Sequence, residues 1–189
     1  YGTRIYLASL EPAYHEVLLN YSRMRSQEKN WVPFVYNDTL HMSYSLCPHQ
    51  VLRCEMNTGE CTLAYWSKEV NCPTDLRGGS QLVQTNGALL GVAHRTRYFM
   101  GSERAIRNIT TEHLYEHHFV RMDARPPFAL RNVSPPFVFP RLFGTDAEWV
   151  QFGAGLAVEG GHAILTYGLG DCSALQVRLP ARELFRLAG

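Results

Sequence analysis

The sequence predicts an all-β fold, namely a β-propeller built from four-stranded blades. The first observation is a repeat: three segments each contain an apolar strand, a tight polar turn and a second strand rich in Leu, Ala, Tyr and β-branched residues. The second is that a further pair of strand-like runs follows each hairpin, which gives about four strands per unit. The third is the lack of any long window with a 3.6-residue apolar period, which argues against long helices.

The repeated hairpins are WVPFVYNDTLHMSYSLCPH, SQLVQTNGALLGVAHRT and QFGAGLAVEGGHAILTYGLGD, with the turns NDT, NG and EGG. The strand pairs expected after them are QVLRCEMNTGECTLAYW, YEHHFVRMDARPPFALRNV and SALQVRLPARELFRL. RIYLASLEPAYHEVLLNYS has the pattern of one more inner hairpin, although AYHEVLLNYSRM is also compatible with a short amphipathic helix. The predicted blades therefore cover residues 1–27 (partial), 28–75, 76–140 and 148–189.

Length and charge limit the interpretation further. The 189 residues, 46% of them hydrophobic, can bury one substantial core, so residues 1–189 are expected to form one propeller domain or a fragment of one. A net charge of +1 without Lys/Arg runs argues against nucleic acid as a partner, and no apolar stretch is long enough to span a membrane. The sequence opens at Tyr1 without an initiator Met, which indicates a fragment or a processed form, and a role as a subunit of a larger assembly stays open.

Cysteines and glycosylation motifs indicate the secretory pathway, that is, the Golgi lumen or the extracellular space. Cys54 and Cys61 bracket the turn EMNTGE, so a hairpin would place their Cβ atoms within disulfide reach. In a reducing cytosol the same pair would be two free buried thiols. Four Asn-X-Ser/Thr sequons, an excess over chance, are the candidate glycosylation sites Asn20, Asn37, Asn108 and Asn132.

Polar residues recur where the predicted inner strands begin and end. EKNW precedes one such strand and RGGS the next, while His49, His94 and Asp171 follow the second strands. Inner-strand ends surround the central funnel of a propeller, so a ring of these groups would suit a polyhydroxylated or anionic ligand. The candidate carbohydrate-binding residues are Glu28, Lys29, Asn30, His49, Arg77, Gly78, Gly79, His94 and Asp171.

Each candidate also has a structural explanation. Glu28 and Lys29 could form a solvated surface pair, and the two histidines could be hydrogen-bonded residues at strand ends. Gly78 and Gly79 could serve only to turn the chain, and Asp171 could cap a turn. Trp31 is expected in the core rather than as a platform for a sugar.

The sequence indicates no metal or cofactor. HLYEH at 113–117 matches the inverted zinc-protease pattern, but that chemistry needs a helix. This segment runs into the strand-like HHFVRM, and in a strand its two histidines would lie about 13 Å apart.

At these residues the sequence resembles the five-bladed β-propellers of the β-mannoside phosphorylase family and its glycosyltransferase-like relatives, over about residues 28–187. RGGSQLVQTNGALLGVAH is similar to a GGGPPPI…GWLLIYHG block, with His94 on the family's His. The ending from VQFGAGL to LFRL is similar to the family's last blade, with Asp171 on its Asp. EKNWVPF is similar to the KN…FP start of the preceding blade.

The resemblance implies a five-bladed propeller of which this chain supplies three to four blades, and a funnel that binds a mannoside. By position, Asp171 would contact sugar hydroxyls, and Arg77 and His94 would lie near the ligand or its anionic group. Two positions depart from the pattern. Gly2 stands where the family has its acidic residue, with only Arg4 kept, and SLCPHQ keeps His49 without the family's Arg. These losses argue against phosphorolysis.

The sequence therefore predicts a carbohydrate-active propeller that transfers or cleaves a mannoside-like glycan, an enzyme whose acid is not found among these residues. The alternative is a propeller that binds glycan without chemistry or serves as an extracellular structural subunit. A funnel carboxylate within hydrogen-bond reach of a bound glycosidic oxygen would separate the two.

Overall fold

The protein is described by a computed structural model that covers residues 2–68, 72–73, 75–107 and 110–189. Its first sheet is an antiparallel hairpin of β1 (Tyr6–Ser9) and β2 (His15–Leu18). This is the hairpin that the N-terminal pattern predicts, and the alternative of a short helix in this segment is wrong. The β-branched Val17 and the turn around Pro12 favour the extended form.

The second sheet contains five strands in the order β3-β7-β6-β5-β4. Its strands are β3 (Asn20–Tyr21), β4 (Val32–Tyr36), β5 (Thr39–Leu46), β6 (His49–Cys54) and β7 (Glu60–Ser67). β4 to β7 form an antiparallel meander, and β3 joins β7 in parallel. The predicted hairpin with the NDT turn is confirmed and consists of β4 and β5. Its two-residue turn requires a left-handed backbone, which Asn37 and Asp38 adopt.

The third sheet is built around two long strands, β10 and β11. Its strands are β8 (Arg77–Gly78), β9 (Val83–Thr85), β10 (Ala88–Tyr98), β11 (His113–Asp123) and β12 (Leu130–Val133). β8 and β9 both pair with β10, the NG turn joins β9 to β10, and β12 lies beyond β11. A short helix, α1 (Gly101–Arg107), follows β10 and is not predicted by the sequence pattern.

The fourth sheet has three strands, β13 (Gln151–Glu159), β14 (His162–Leu169) and β15 (Ser173–Pro180), preceded by a 3-10 helix at Asp146–Trp149. The EGG hairpin is confirmed as β13–β14. The strand expected at the end of the chain is wrong, since helix α2 (Ala181–Ala188) occupies that segment.

Helix α2 forms because ARELFRLA carries its apolar side chains at helical spacing. Ala181, Leu184 and Ala188 are buried on one face, and Arg186 bonds Glu183 on the solvent side. Pro180, the last residue of β15, ends the strand and starts the helix. An eight-residue helix spans too short a window for its period to stand out in the sequence.

The third sheet packs against the second and the fourth. The second and third sheets share a core that includes Phe34, Val51, Leu89, Met122 and Phe128. The third and fourth sheets share a second core that includes Leu90, Phe119, Leu156, Leu165 and Leu184. The fold is therefore all-β, a series of packed sheets none of which closes on itself within the described residues.

Two disulfides are present. Cys54 is bonded to Cys61, the pair that the hairpin spacing predicts, and the two residues face each other across β6 and β7. Cys47 is bonded to Cys72, a pairing that the sequence left open. Cys172 is free and exposed.

The sequons differ in their exposure. Asn20 and Asn37 are exposed, whereas Asn132 is half-buried and donates its Nδ2, the atom that would carry a sugar, to Ala188 O. Asn108 lies outside the described residues. Of the three sequons that the structure describes, Asn20 and Asn37 are therefore the best placed for modification. Within the described ranges, no helix has the length and apolarity that a membrane crossing needs.

The HLYEH segment lies at the start of β11 and is extended, as the strand-like sequence after it predicts. His117 is fully buried there, while His113 is half-buried. No group of three or more His, Cys, Asp or Glu side chains in the described parts of the chain is placed to hold a metal.

Candidate functional site

The EKNW and RGGS stretches lie against each other. A Cβ added to Gly78 would come within 2.5 Å of Asn30 O and 2.2 Å of Val32 Cγ2, so only glycine permits this approach. Asn30 itself has a left-handed backbone (φ 64°), which asparagine tolerates better than most residues. The contact joins the start of β4 to β8 and so joins the second sheet to the third.

A cavity of about 470 Å³ opens at this junction. Five of the nine candidate ligand-binding residues line it: Glu28, Lys29, Asn30, Arg77 and Gly78. The rest of the lining comes from the loop before β4, the end of β5 and the segment before β8. The volume falls in the range of small-ligand sites.

Three basic side chains line the cavity: Arg25, Lys29 and Arg77. All three are exposed, and none has an ion-pair partner among the described residues. Cations gathered in a concave site without protein partners remain able to donate hydrogen bonds to a ligand's oxygens. Lys29 and Arg77 are among the residues that the sequence selected, and Arg25 is not.

Glu28 lines the cavity, but its carboxylate is hydrogen-bonded within the protein. It is 3% exposed, and its carboxylate accepts hydrogen bonds from the Arg25 backbone N–H, from Trp31 Nε1 at 2.9 Å and from the Tyr44 hydroxyl at 3.0 Å. Burial, with a further contribution from the Glu28 carboxylate, raises the pKa of Tyr44 to about 12, so this hydroxyl stays a donor. Glu28 therefore fixes the loop that carries Lys29.

Trp31 belongs to the core, as expected. Its ring is 7% exposed and packs edge-on against Tyr44, with ring centroids 5.2 Å apart.

Asp75 also lines the cavity, and sequence reasoning missed it. The Asp75 carboxylate is exposed and has no hydrogen-bond or ion-pair partner among the described residues. The Glu28 carboxylate, in contrast, accepts hydrogen bonds from Trp31 and Tyr44. The Cys47–Cys72 disulfide ties the segment before Asp75 to the end of β5. Asp75 does not belong to the repeated pattern of the hairpins. The only feature of the sequence that could have identified it is its position two residues before RGGS.

The two predicted histidines are buried next to residues that line the cavity. His49 is fully buried, with Nε2 2.9 Å from the hydroxyl of Ser43, which lines the cavity. His94 is 3% exposed and pairs with Arg77 across β10 and β8. Burial, with smaller contributions from the positive charges of Arg77 and Lys29, lowers the pKa of His94 to about 4. His94 is therefore neutral near pH 7, and neither histidine lines the cavity.

Gly79 and Asp171 also lie apart from the cavity lining. A Cβ on Gly79 would lie 2.8 Å from both Val92 O and Gly153 O, so this glycine permits close packing of the third sheet on the fourth. Asp171 is an exposed residue in the turn between β14 and β15, with a left-handed backbone (φ 55°). Four of the nine candidates are therefore absent from the cavity lining: His49, Gly79, His94 and Asp171.

A second buried histidine lies near His94. His117 has its ring centroid 6.4 Å from that of His94, and its Nε2 accepts a hydrogen bond from Gly153 N at 3.2 Å, which requires the neutral ring. Burial, with smaller contributions from His94 and His118, lowers the pKa of His117 to about 3.

The protein should therefore lose stability in mild acid. A histidine whose pKa is lowered by folding stabilises the native state fully above its unfolded value of about 6.5, and this contribution disappears as the pH falls towards the folded value. For His94 and His117 the free energy of unfolding should decrease by roughly 2–3 kcal/mol each between pH 7 and pH 4.5. Urea denaturation across this range measures the decrease. His117→Gln keeps an acceptor for Gly153 and should flatten the profile, whereas His15→Gln, at an exposed position of β2, should not. A wild-type slope in His117→Gln would refute this assignment.

The comparisons with solved structures agree with the fold. β-1,2-Mannobiose phosphorylase from Listeria innocua, solved with β-1,2-mannobiose, is similar over 85% of this chain and 46% of its own, with a TM-score of 0.56 and 16% identity. A glycosyl hydrolase from Bacteroides ovatus is similar over 82% of this chain and 49% of its own, with a TM-score of 0.57 and 13% identity. Because the sequence identities are this low, the similarity to these two structures is evidence for the fold alone.

Sequence relatives are more specific. Beta-mannosyltransferase 3 from Candida albicans is 34% identical over 86 residues, which are 43% of this chain and 16% of that protein. Beta-mannosyltransferase 3 from Komagataella phaffii is 31% identical over 74 residues, 37% of this chain and 12% of that protein. The matched part is thus about a sixth or less of these relatives. Residues 13–117, more than half of the chain, match the family described as beta-mannosyltransferases, and the protein belongs to this family.

Proposed function

We propose that this chain forms a mannoside-binding site of a β-mannosyltransferase and takes part in mannosyl transfer to a glycan. The observation that carries the proposal is the cavity between the second and third sheets, where Lys29 and Arg77 have no ion-pair partner in the described residues and face the same space as Asp75. The family match includes all of these residues.

The lining chemistry suits a sugar. Lys29 and Arg77 donate hydrogen bonds to hydroxyl or phosphate oxygens, and the Asp75 carboxylate accepts them from hydroxyl groups. At the end of β5 the Ser45 hydroxyl, which donates to Pro48 O, adds an oxygen that can accept a hydrogen bond. Because the side chains of Lys29, Arg77 and Asp75 are exposed to solvent in the cavity, their charges can stay solvated until a ligand binds.

Transfer requires a group that takes the proton of the acceptor hydroxyl. As the acceptor oxygen bonds to the anomeric carbon of the mannosyl donor, the leaving group departs with its electron pair and the hydroxyl proton moves to a base. Asp75 takes this proton in our proposal, because the Glu28 carboxylate is already hydrogen-bonded to Trp31 and Tyr44.

The architecture that we propose is a β-propeller, to which the chain contributes the predicted blades. Its support is that sheets consecutive in sequence stack with a shared core between each pair, as propeller blades do. We also propose a location in the secretory pathway. Two disulfides and the exposed sequons Asn20 and Asn37 suit an oxidising, glycosylating compartment.

Calorimetric titration with β-1,2-mannobiose tests the binding site. Lys29→Ala and Arg77→Ala should each weaken binding by about 10- to 100-fold, since hydrogen bonds to charged groups contribute about 1.5–3 kcal/mol. Arg53→Ala is the matched control, because Arg53 is an exposed arginine of β6 that bonds Glu55 away from the cavity. Wild-type affinity in both cavity variants would remove the proposed site.

A further inference from the structure

A second cavity of about 520 Å³ adjoins the first, and Arg25 and Tyr44 line both. Trp66 and Leu63 contribute large apolar surfaces to it, with 53% and 41% of their areas exposed. Gln50, Arg23 and Tyr21 complete the lining. None of the side chains that the sequence pattern selected belongs to this cavity.

The strand register connects the two cavities in a row. Ser45, which lines the first cavity, is opposite Gln50, and Gln50 is opposite Trp66. Residues directly opposite in antiparallel strands project from the same face of the sheet, so these three side chains share one face. Two strand spacings separate Ser45 from Trp66, which is on the order of 10 Å, about the length of a disaccharide.

We propose that this second cavity, the Trp66 subsite, binds a further sugar ring of the glycan whose reacting end occupies the first cavity. The inference rests on the proposed function, and it assigns to Trp66 the recognition of glycan length. The sugar's apolar C–H face lies on the indole ring and Leu63, while its hydroxyls reach the Gln50 amide and the Arg23 and Arg25 guanidinium groups.

The chemistry favours a sugar over a purely apolar ligand. An indole and a leucine side chain offer an apolar surface of about one ring, and donors lie at its edge: Gln50 in the same cross-strand row, and two arginines that line the cavity. The Tyr44 hydroxyl at the boundary is already bonded to Glu28, so it holds the wall between the cavities in place. A ring that is apolar on one face and polar at its rim satisfies both kinds of group.

The test is the affinity for β-mannosides of increasing length, measured by calorimetry with the disaccharide and the tetrasaccharide. The wild-type protein should bind the tetrasaccharide about tenfold more tightly, the gain expected from one aromatic contact. Trp66→Ala should abolish this gain and leave disaccharide affinity unchanged, and Trp66→Phe should restore part of it. Met56→Ala is the control: Met56 is an exposed apolar residue in the turn between β6 and β7, and both affinities should stay at wild-type values.

The outcomes separate this inference from the proposed function. If the disaccharide binds and the tetrasaccharide binds no more tightly, or if Trp66→Ala weakens both equally, the Trp66 subsite is refuted and the first cavity stands. If no β-mannoside of either length binds, the proposed function fails, and the subsite fails with it. Quenching of Trp fluorescence by iodide adds a second readout, because the tetrasaccharide alone should shield the exposed Trp66.

Discussion

Asp75→Asn is expected to reduce mannosyl transfer by about 10²- to 10⁴-fold, the usual contribution of a positioned proton-transfer group. The substitution keeps the size of the side chain and removes the carboxylate that would take the acceptor's proton. Binding of β-1,2-mannobiose should weaken much less than transfer, because Lys29 and Arg77 remain and the amide oxygen can still accept a hydrogen bond from the sugar. Transfer is measured with an activated mannosyl donor and a β-mannoside acceptor.

Asp38→Asn is the matched control for this variant. Asp38 is an exposed aspartate in the β4–β5 turn, outside the cavity, and its left-handed backbone (φ 54°) suits asparagine equally well. Wild-type transfer by Asp75→Asn would exclude Asp75 as the base. If the wild-type protein binds β-mannosides without transferring mannose to them, the proposed enzyme is wrong and the alternative, a protein that binds glycan without chemistry, is favoured.

Gly78→Ala is expected to lower both stability and ligand affinity. The new Cβ would overlap Asn30 O and the Cγ2 of the buried Val32, and backbone and β-branched atoms cannot move aside cheaply. Overpacking of this kind costs about 1–3 kcal/mol, which lowers the Tm of a protein of this size by roughly 2–12 °C. Binding should weaken because Lys29 and Arg77 move apart as β8 is displaced.

Gly168→Ala is the control for this substitution. Gly168 lies inside β14, and a Cβ built there would meet nothing within 4 Å. Its Tm should therefore stay at the wild-type value or rise slightly, as the unfolded chain loses freedom. Thermal melts of both variants measure the change in Tm. A wild-type Tm in Gly78→Ala would show that EKNW and RGGS do not pack against each other as described.

The hairpins could be predicted because local chemistry determines them. The NDT, NG and EGG turns supply the left-handed residues that tight hairpins need, and strands rich in β-branched and aromatic residues follow on either side. Helix α2 was not predicted, since the repeat suggested a strand and eight residues are too few for their helical period to stand out; the packing of Leu184 against the fourth sheet adds to what favours the helix.

The site was predicted in part for a similar reason. EKNW and RGGS were expected to face one cavity from their equal positions before two strands, and five of their residues do line it. Whether a charged side chain lines the cavity depends on the residues around it in the fold, which the sequence does not reveal. The Glu28 carboxylate is hydrogen-bonded to Trp31 and Tyr44. Asp171 lies in an exposed turn. Asp75 lines the cavity and follows the cysteine of the Cys47–Cys72 disulfide closely in the chain.

A crystal structure of the protein with bound β-1,2-mannobiose is the most direct test of the central claim, that the cavity between the second and third sheets is a mannoside site. We expect the sugar to lie between Lys29 and Arg77, with one of its hydroxyls within hydrogen-bond distance of the Asp75 carboxylate. A disaccharide bound elsewhere on the protein, with this cavity filled only by water, would contradict the account.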